Sequence, residues 1–180
     1  MVGAYEGSVS ETVVEFFRYN AWANQVLLEA CSELSEEALE YSMPGTAGTL
    51  RATLMHLATS GESFVNRITG GDPGPPARRE WPGVAGLAAI AKELDGTLLA
   101  LAEAFEVSDT AETVNLTYMQ ETRSWPRRFF FVHAITHATE HRSQVCMMLT
   151  ALGKPLDLDG WNYAAAMEFG SLVTTGNDDP

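Results

Sequence analysis

All four histidines of the 180-residue chain lie in stretches of helical periodicity: His56 in one, and His133, His137 and His141 in another. The last three are spaced four residues apart. Each such step advances about 40° beyond a full turn, so the three form one slowly drifting stripe. His137 and His141 can aim both imidazoles at one point, as paired helical metal ligands do. A third ligand must come from another helix, and His56 is the one histidine left. A single helical histidine is commonly a packed side chain. The gathering of the whole histidine complement on two helices is what points to a metal.

Residues 137–141 read His-Ala-Thr-Glu-His, the HxxEH pattern. This is the reversed form of the metalloprotease helix, in which Glu140 would be a general base beside the metal. The inverted peptidases need a long downstream segment for a third, acidic ligand, and only 39 residues follow His141. Glu140 reads more readily as a solvent-facing helical residue. A di-iron carboxylate bundle requires Glu-x-x-His on two helices. Thr53, Phe130, Ala134 and Ala138 stand three residues before the histidines, so that chemistry is excluded. No CxxC pair and no glycine-rich phosphate loop occurs. Cys31 and Cys146 are far apart in apolar helical surroundings and read as buried, reduced thiols.

The elements that must carry these side chains are punctuated by proline and glycine. A first helix is predicted over about 10–32, with Val13, Phe16, Phe17, Asn20, Asn24, Leu27, Leu28 and Cys31 along one face. A second runs from about Thr49 to Gly70, with Leu50, Thr53, Leu54, Leu57, Phe64, Val65 and Ile68 on its apolar side. Four prolines make the following stretch a loop. A third, Ala-rich helix spans about 84–105. Alternation of Val114, Leu116 and Tyr118 predicts a short extended segment within 113–122. The last long helix runs from about Pro126 to Leu152, and a short one is expected near Trp161 to Phe169. Rods of roughly 30–40 Å joined by loops make an all-α four-helix bundle. Residues 1–173 are read as one domain and 174–180 as a mobile polar tail.

Charge narrows the partners. Eleven Lys+Arg against 24 Asp+Glu give a net charge of −13, so neither nucleic acid nor an anionic membrane surface is expected. A hydrophobic share of 46% supplies one sizeable core. The N-terminus resembles no signal peptide, no run approaches a membrane span, and a cytoplasmic location follows as the expectation.

Three stretches, taken together, resemble the DinB superfamily of metal-binding four-helix bundles. They are Tyr19-Asn20-Ala21-Trp22-Ala23-Asn24, Gly48 to Leu57 (GTLRATLMHL), and His133 to Gln144 (HAITHATEHRSQ), in the family's order. The resemblance covers about residues 10–170. It implies one divalent ion, zinc or nickel, held by His56, His137 and His141 with a coordination position left open. It also implies a small-molecule substrate and, by similarity to mycothiol-dependent maleylpyruvate isomerase and bacillithiol S-transferases, a low-molecular-weight thiol as co-substrate. A metal-dependent hydrolase using Glu140, or a non-catalytic metal-stabilised binding module, are the alternatives. The family pattern usually has histidine where Glu140 stands, and Arg-Gly where this chain has Arg142-Ser143. His133, Asn20, Asn24 and Gln144 are expected to face the same interior and to orient ligands or substrate. Pairing of two copies is expected through helices, with Gly86, Ala88, Ala89 and Ala91 permitting close approach.

Overall fold

The computed structural model describes residues 9–71, 80–105, 112–118 and 121–156. Helix α1 is Val9–Ala30, α2 is Glu36–Leu39, α3 is Leu50–Thr69 and α4 is Gly83–Glu103. Strands β1 (Thr113–Tyr118) and β2 (Glu121–Pro126) precede α5, Arg127–Ala151. The boundaries have local causes. Thr49 is extended, and its hydroxyl accepts a hydrogen bond from the Ala52 N–H at 3.2 Å, capping α3. Gly70, at φ 81°, closes that helix in the left-handed conformation that glycine adopts freely. Pro126 starts α5, where its missing N–H costs nothing.

The expected single extended segment is an antiparallel hairpin, with Val114 opposite Trp125 and Leu116 opposite Arg123. The second strand has no visible alternation in sequence because most of it is exposed. Val114 of β1 supplies the buried anchor. The short helix expected near Trp161 to Phe169 and the polar tail lie outside the described residues.

Two apolar clusters fill the bundle. One gathers Leu27 and Leu28 of α1, Leu50, Leu54 and Leu57 of α3, Leu87 of α4, and Val145 and Met148 of α5. The other gathers Phe17, Phe64, Ile68, Leu98, Phe130 and Phe131. Reading each helix from one cluster to the other shows that α1 and α5 run one way while α3 and α4 run the opposite way. The most extensive contacts are α1 with α4, α3 with α4, and α3 with α5. The antiparallel α3–α5 pair therefore faces His56 toward the histidine stripe.

Between the clusters lies a polar waist. Asn20 and Asn24 of α1, Asp95 of α4 and Arg142 of α5 are all buried there. Arg142 donates to the Asn20 and Asn24 side-chain oxygens at 2.5 and 2.9 Å. Both asparagine amides in turn donate to the Asp95 carboxylate, at 2.9–3.2 Å.

Phe16 departs from its predicted place on the buried face of α1. It is 52% exposed, because the buried seam passes through its neighbour Phe17, a turn of about 100° away. Of the small residues expected to admit a second copy, Ala91 is buried and Ala88 packs against the core of its own bundle. No helix among the described residues is long and apolar enough to cross a membrane.

Candidate metal centre

At the level of the polar waist, α3 and α5 bring three imidazoles together. One ligand nitrogen from each of His56, His137 and His141 lies within 4.8 Å of the other two. His56 Nε2 and His137 Nε2 are 2.9 Å apart. The His56 ring centroid lies 4.8 Å from that of His137 and 4.5 Å from that of His141. Nitrogens bound at 2.0–2.1 Å around a tetrahedral ion stand about 3.3 Å apart. The three rings need only small adjustments to reach that spacing.

The donor chemistry fits as well. Burial, and then the neighbouring His141, His56, His133 and Arg67, push His137 down to about 3. Burial and His141 also lower His56. Both rings are therefore neutral at pH 7, the form that ligates. The three grade from exposed His56 to buried His141, so the cluster opens to solvent on the α3 side. His137 Nδ1 is sheltered and has no hydrogen-bond partner among the described residues.

Gln144 stands behind His141. Its side-chain oxygen lies 3.0 Å from His141 Nδ1 and accepts the Ala47 backbone N–H at 3.0 Å. An acceptor on Nδ1 fixes the proton there and leaves Nε2 free to ligate. The residues ahead of α3 are thus tied to the ligand helix through one amide. Gln144→Ala is expected to weaken divalent-ion affinity about 10- to 100-fold while leaving the fold intact; competition against a chromogenic chelator measures it.

The remaining sequence-predicted residues are placed as follows. Asn20 and Asn24 bond Arg142 and Asp95 rather than a histidine. Glu140 is exposed and lies outside the three-histidine cluster. Its charge reaches His133, partly opposing the lowering of that residue's pKa by burial and Arg67. The His133 ring continues the stripe, 6.0 Å from that of His137. Burial pushes the Cys31 thiol up to about 12 and the Cys146 thiol up to about 11. Both thiols are free and stay protonated at pH 7, so neither is an activated nucleophile.

Two further residues take part: Phe64, expected only on the apolar side of its helix, and Arg67, which the sequence did not single out. Phe64 is a core residue, yet its ring makes T-shaped contacts with both His133 and His137, at centroid distances of 5.1 and 5.4 Å. Arg67, eleven residues after His56, returns to the His56 face of α3 after three turns, and that spacing was the available signal.

The profile of the DinB family matches residues 8–168. A DinB-like protein from Bacillus subtilis, YjoA, has a similar solved structure, with a TM-score of 0.59 and 18% identity. The alignment covers 79% of this chain and 92% of that one, a likeness of fold. None of the curated proteins matches the chain.

Proposed function

The chain belongs to the DinB family, and we propose that it is a divalent-metal-dependent enzyme that activates a low-molecular-weight thiol for S-transfer or isomerisation of a small molecule. The observation that carries this reading is the convergence of His56, His137 and His141 within 4.8 Å on a cluster exposed along one edge. Three imidazoles, with no fourth protein ligand in the cluster among the described residues, are the donor set of an open site. Zinc and nickel are among the ions that imidazole donors suit. When bound, such an ion supplies Lewis acidity and favours thiolate over thiol.

The chain's own residues supply the rest. His141, oriented by Gln144, gives the buried side of the site its fixed geometry. His137 is kept neutral by burial and joins α5 to α3. Phe64 packs its ring against His137, with centroids 5.4 Å apart. Cys31 is buried and Cys146, expected to be buried as well, is half-buried; burial raises both thiols, so the reactive thiol must arrive with a small molecule. The net charge of −13 disfavours a polyanionic substrate.

Purified without chelators, the protein is expected to hold about one divalent ion per chain by elemental analysis. Chelation should lower its melting temperature by roughly 10 °C, as loss of a tightly bound ligand does for a domain of this size. Thiol consumption with electrophilic acceptors is then compared with ester, amide and lactam hydrolysis. Absence of metal after reconstitution would sink the proposal. Hydrolysis that is lost in Glu140→Gln would transfer it to the hydrolase reading. A metal-dependent melting shift without turnover would indicate a binding module.

A further inference from the structure

Beside the histidine cluster, the C-terminal half of α3, the hairpin and the start of α5 enclose a groove of about 690 Å³. This is the size of a small-molecule site. Its floor is aromatic: Trp125, Phe129 and Phe130 line it, and the Trp125 and Phe129 rings lie 4.9 Å apart. Arg67 and His133 form the end nearest the cluster. Phe64 links the two sites. Arg67 lies 5.9 Å over its ring, which also contacts His133 and His137.

The polar groups at that end are incomplete. Arg67 Nε and His133 Nδ1 are both sheltered from solvent and have no hydrogen-bond partner among the described residues. Among the described residues no carboxylate is paired with Arg67. The groove's other cation, Arg123, is already bonded to Glu121 at 2.6 Å. In a chain of net charge −13, a half-buried guanidinium with no carboxylate paired to it among the described residues favours an anion beside it. Sheltered polar groups without partners are a feature that a ligand resolves.

We infer that this groove binds a flat, apolar carboxylic acid. Its carboxylate pairs with Arg67, its body lies on Trp125, Phe129 and Phe130, and the end nearest His133 faces the three-histidine cluster. The inference deepens the proposed function and rests on it only for which end of the acid reacts. The groove and its charge stand independently of any metal.

The probe is 2-naphthoate, with uncharged 2-naphthamide as its counterpart, titrated calorimetrically into the purified protein whose metal content has been measured. The acid is expected to bind at least tenfold more tightly than the amide. In Arg67→Gln that preference should fall to near unity with amide affinity unchanged, and Arg67→Lys should keep part of it. Arg123→Gln should retain it. Circular dichroism confirms that each variant is folded. His137→Ala separates the two ideas, because it removes a metal ligand and leaves the groove. An Arg67-dependent preference that persists there supports the groove even if the protein proves to hold no ion. Failure of the acid to bind, a preference retained in Arg67→Gln, or one lost in His137→Ala would each overturn the inference, the last by showing that the acid sits on the ion.

Discussion

His137→Ala is expected to reduce divalent-ion affinity several hundredfold or more and to leave the purified protein essentially metal-free. His137 is the central member of the three-histidine cluster. It faces His56 across the helix interface at 2.9 Å and lies one turn from His141, with ring centroids 4.4 Å apart. Protein-bound zinc at structural sites is worth about 10–16 kcal/mol, so losing one of three ligands removes on the order of 3–5 kcal/mol. A tenfold change in affinity corresponds to about 1.4 kcal/mol. His133→Ala, on the same stripe but outside the cluster, should retain the ion. The same residue sets an acid limit. His137 is held at about 3 in the fold, whereas its ordinary value is 6.5. Between those values the unfolded chain binds a proton that the folded one refuses. Stability from this group is therefore full above about pH 6.5 and is lost as pH falls toward 3. Urea titrations at pH 5 and 8 should show wild-type stability rising with pH, and a shallower rise in His137→Ala.

Much of this centre was legible because it depends on helical geometry alone. Four-residue spacing puts His137 and His141 on one face wherever α5 packs, and the periodicity of residues 49–70 and 126–152 fixed both helices to within a residue or two. The partner of that pair was less accessible. His56 could be named as the remaining histidine, but only packing decides that α3 lies antiparallel against α5 at the right height. Three-dimensional context also settled residues with ambiguous chemistry. Asn20 and Asn24 share the inward face of α1, and what they meet there is Arg142 and Asp95 from two other helices. Arg142 directly follows His141, and nothing in its local pattern marks it as buried. The second strand was missed for a related reason. A strand whose side chains are mostly exposed leaves no period-two signal, and its pairing partner lies beyond the turn.

Asp95→Ala is expected to cost about 3–5 kcal/mol of folding stability, a large part of the 5–15 kcal/mol that holds a typical domain together. Asp95 closes a circuit in which Arg142 donates to two asparagine oxygens and the same two amides donate to the carboxylate. Removing it strands both amide donors and leaves the Arg142 charge buried and uncompensated, with its pKa already lowered by desolvation. The double variant Asp95→Leu with Arg142→Met should recover part of the loss, because an apolar pair carries no desolvation cost. The pH dependence is the sharper test, and its sign is opposite to that of His137. Burial pushes Asp95 up to about 6 from 3.8, against the opposing pull of Asn24, Arg142 and Asn20. The folded chain thus holds a proton that the unfolded chain releases. The stabilisation that Asp95 provides is full below about pH 4 and declines as pH rises through 6. The ceiling on that decline is about 3 kcal/mol, at 1.36 kcal/mol per pKa unit. The deficit of Asp95→Ala relative to wild type should accordingly narrow between pH 4 and 7 in urea titrations, since the other titrating groups are common to both proteins. A deficit that widened with pH would mean that the bundle favours the carboxylate, and that attraction to Arg142 outweighs the cost of taking both charges out of water.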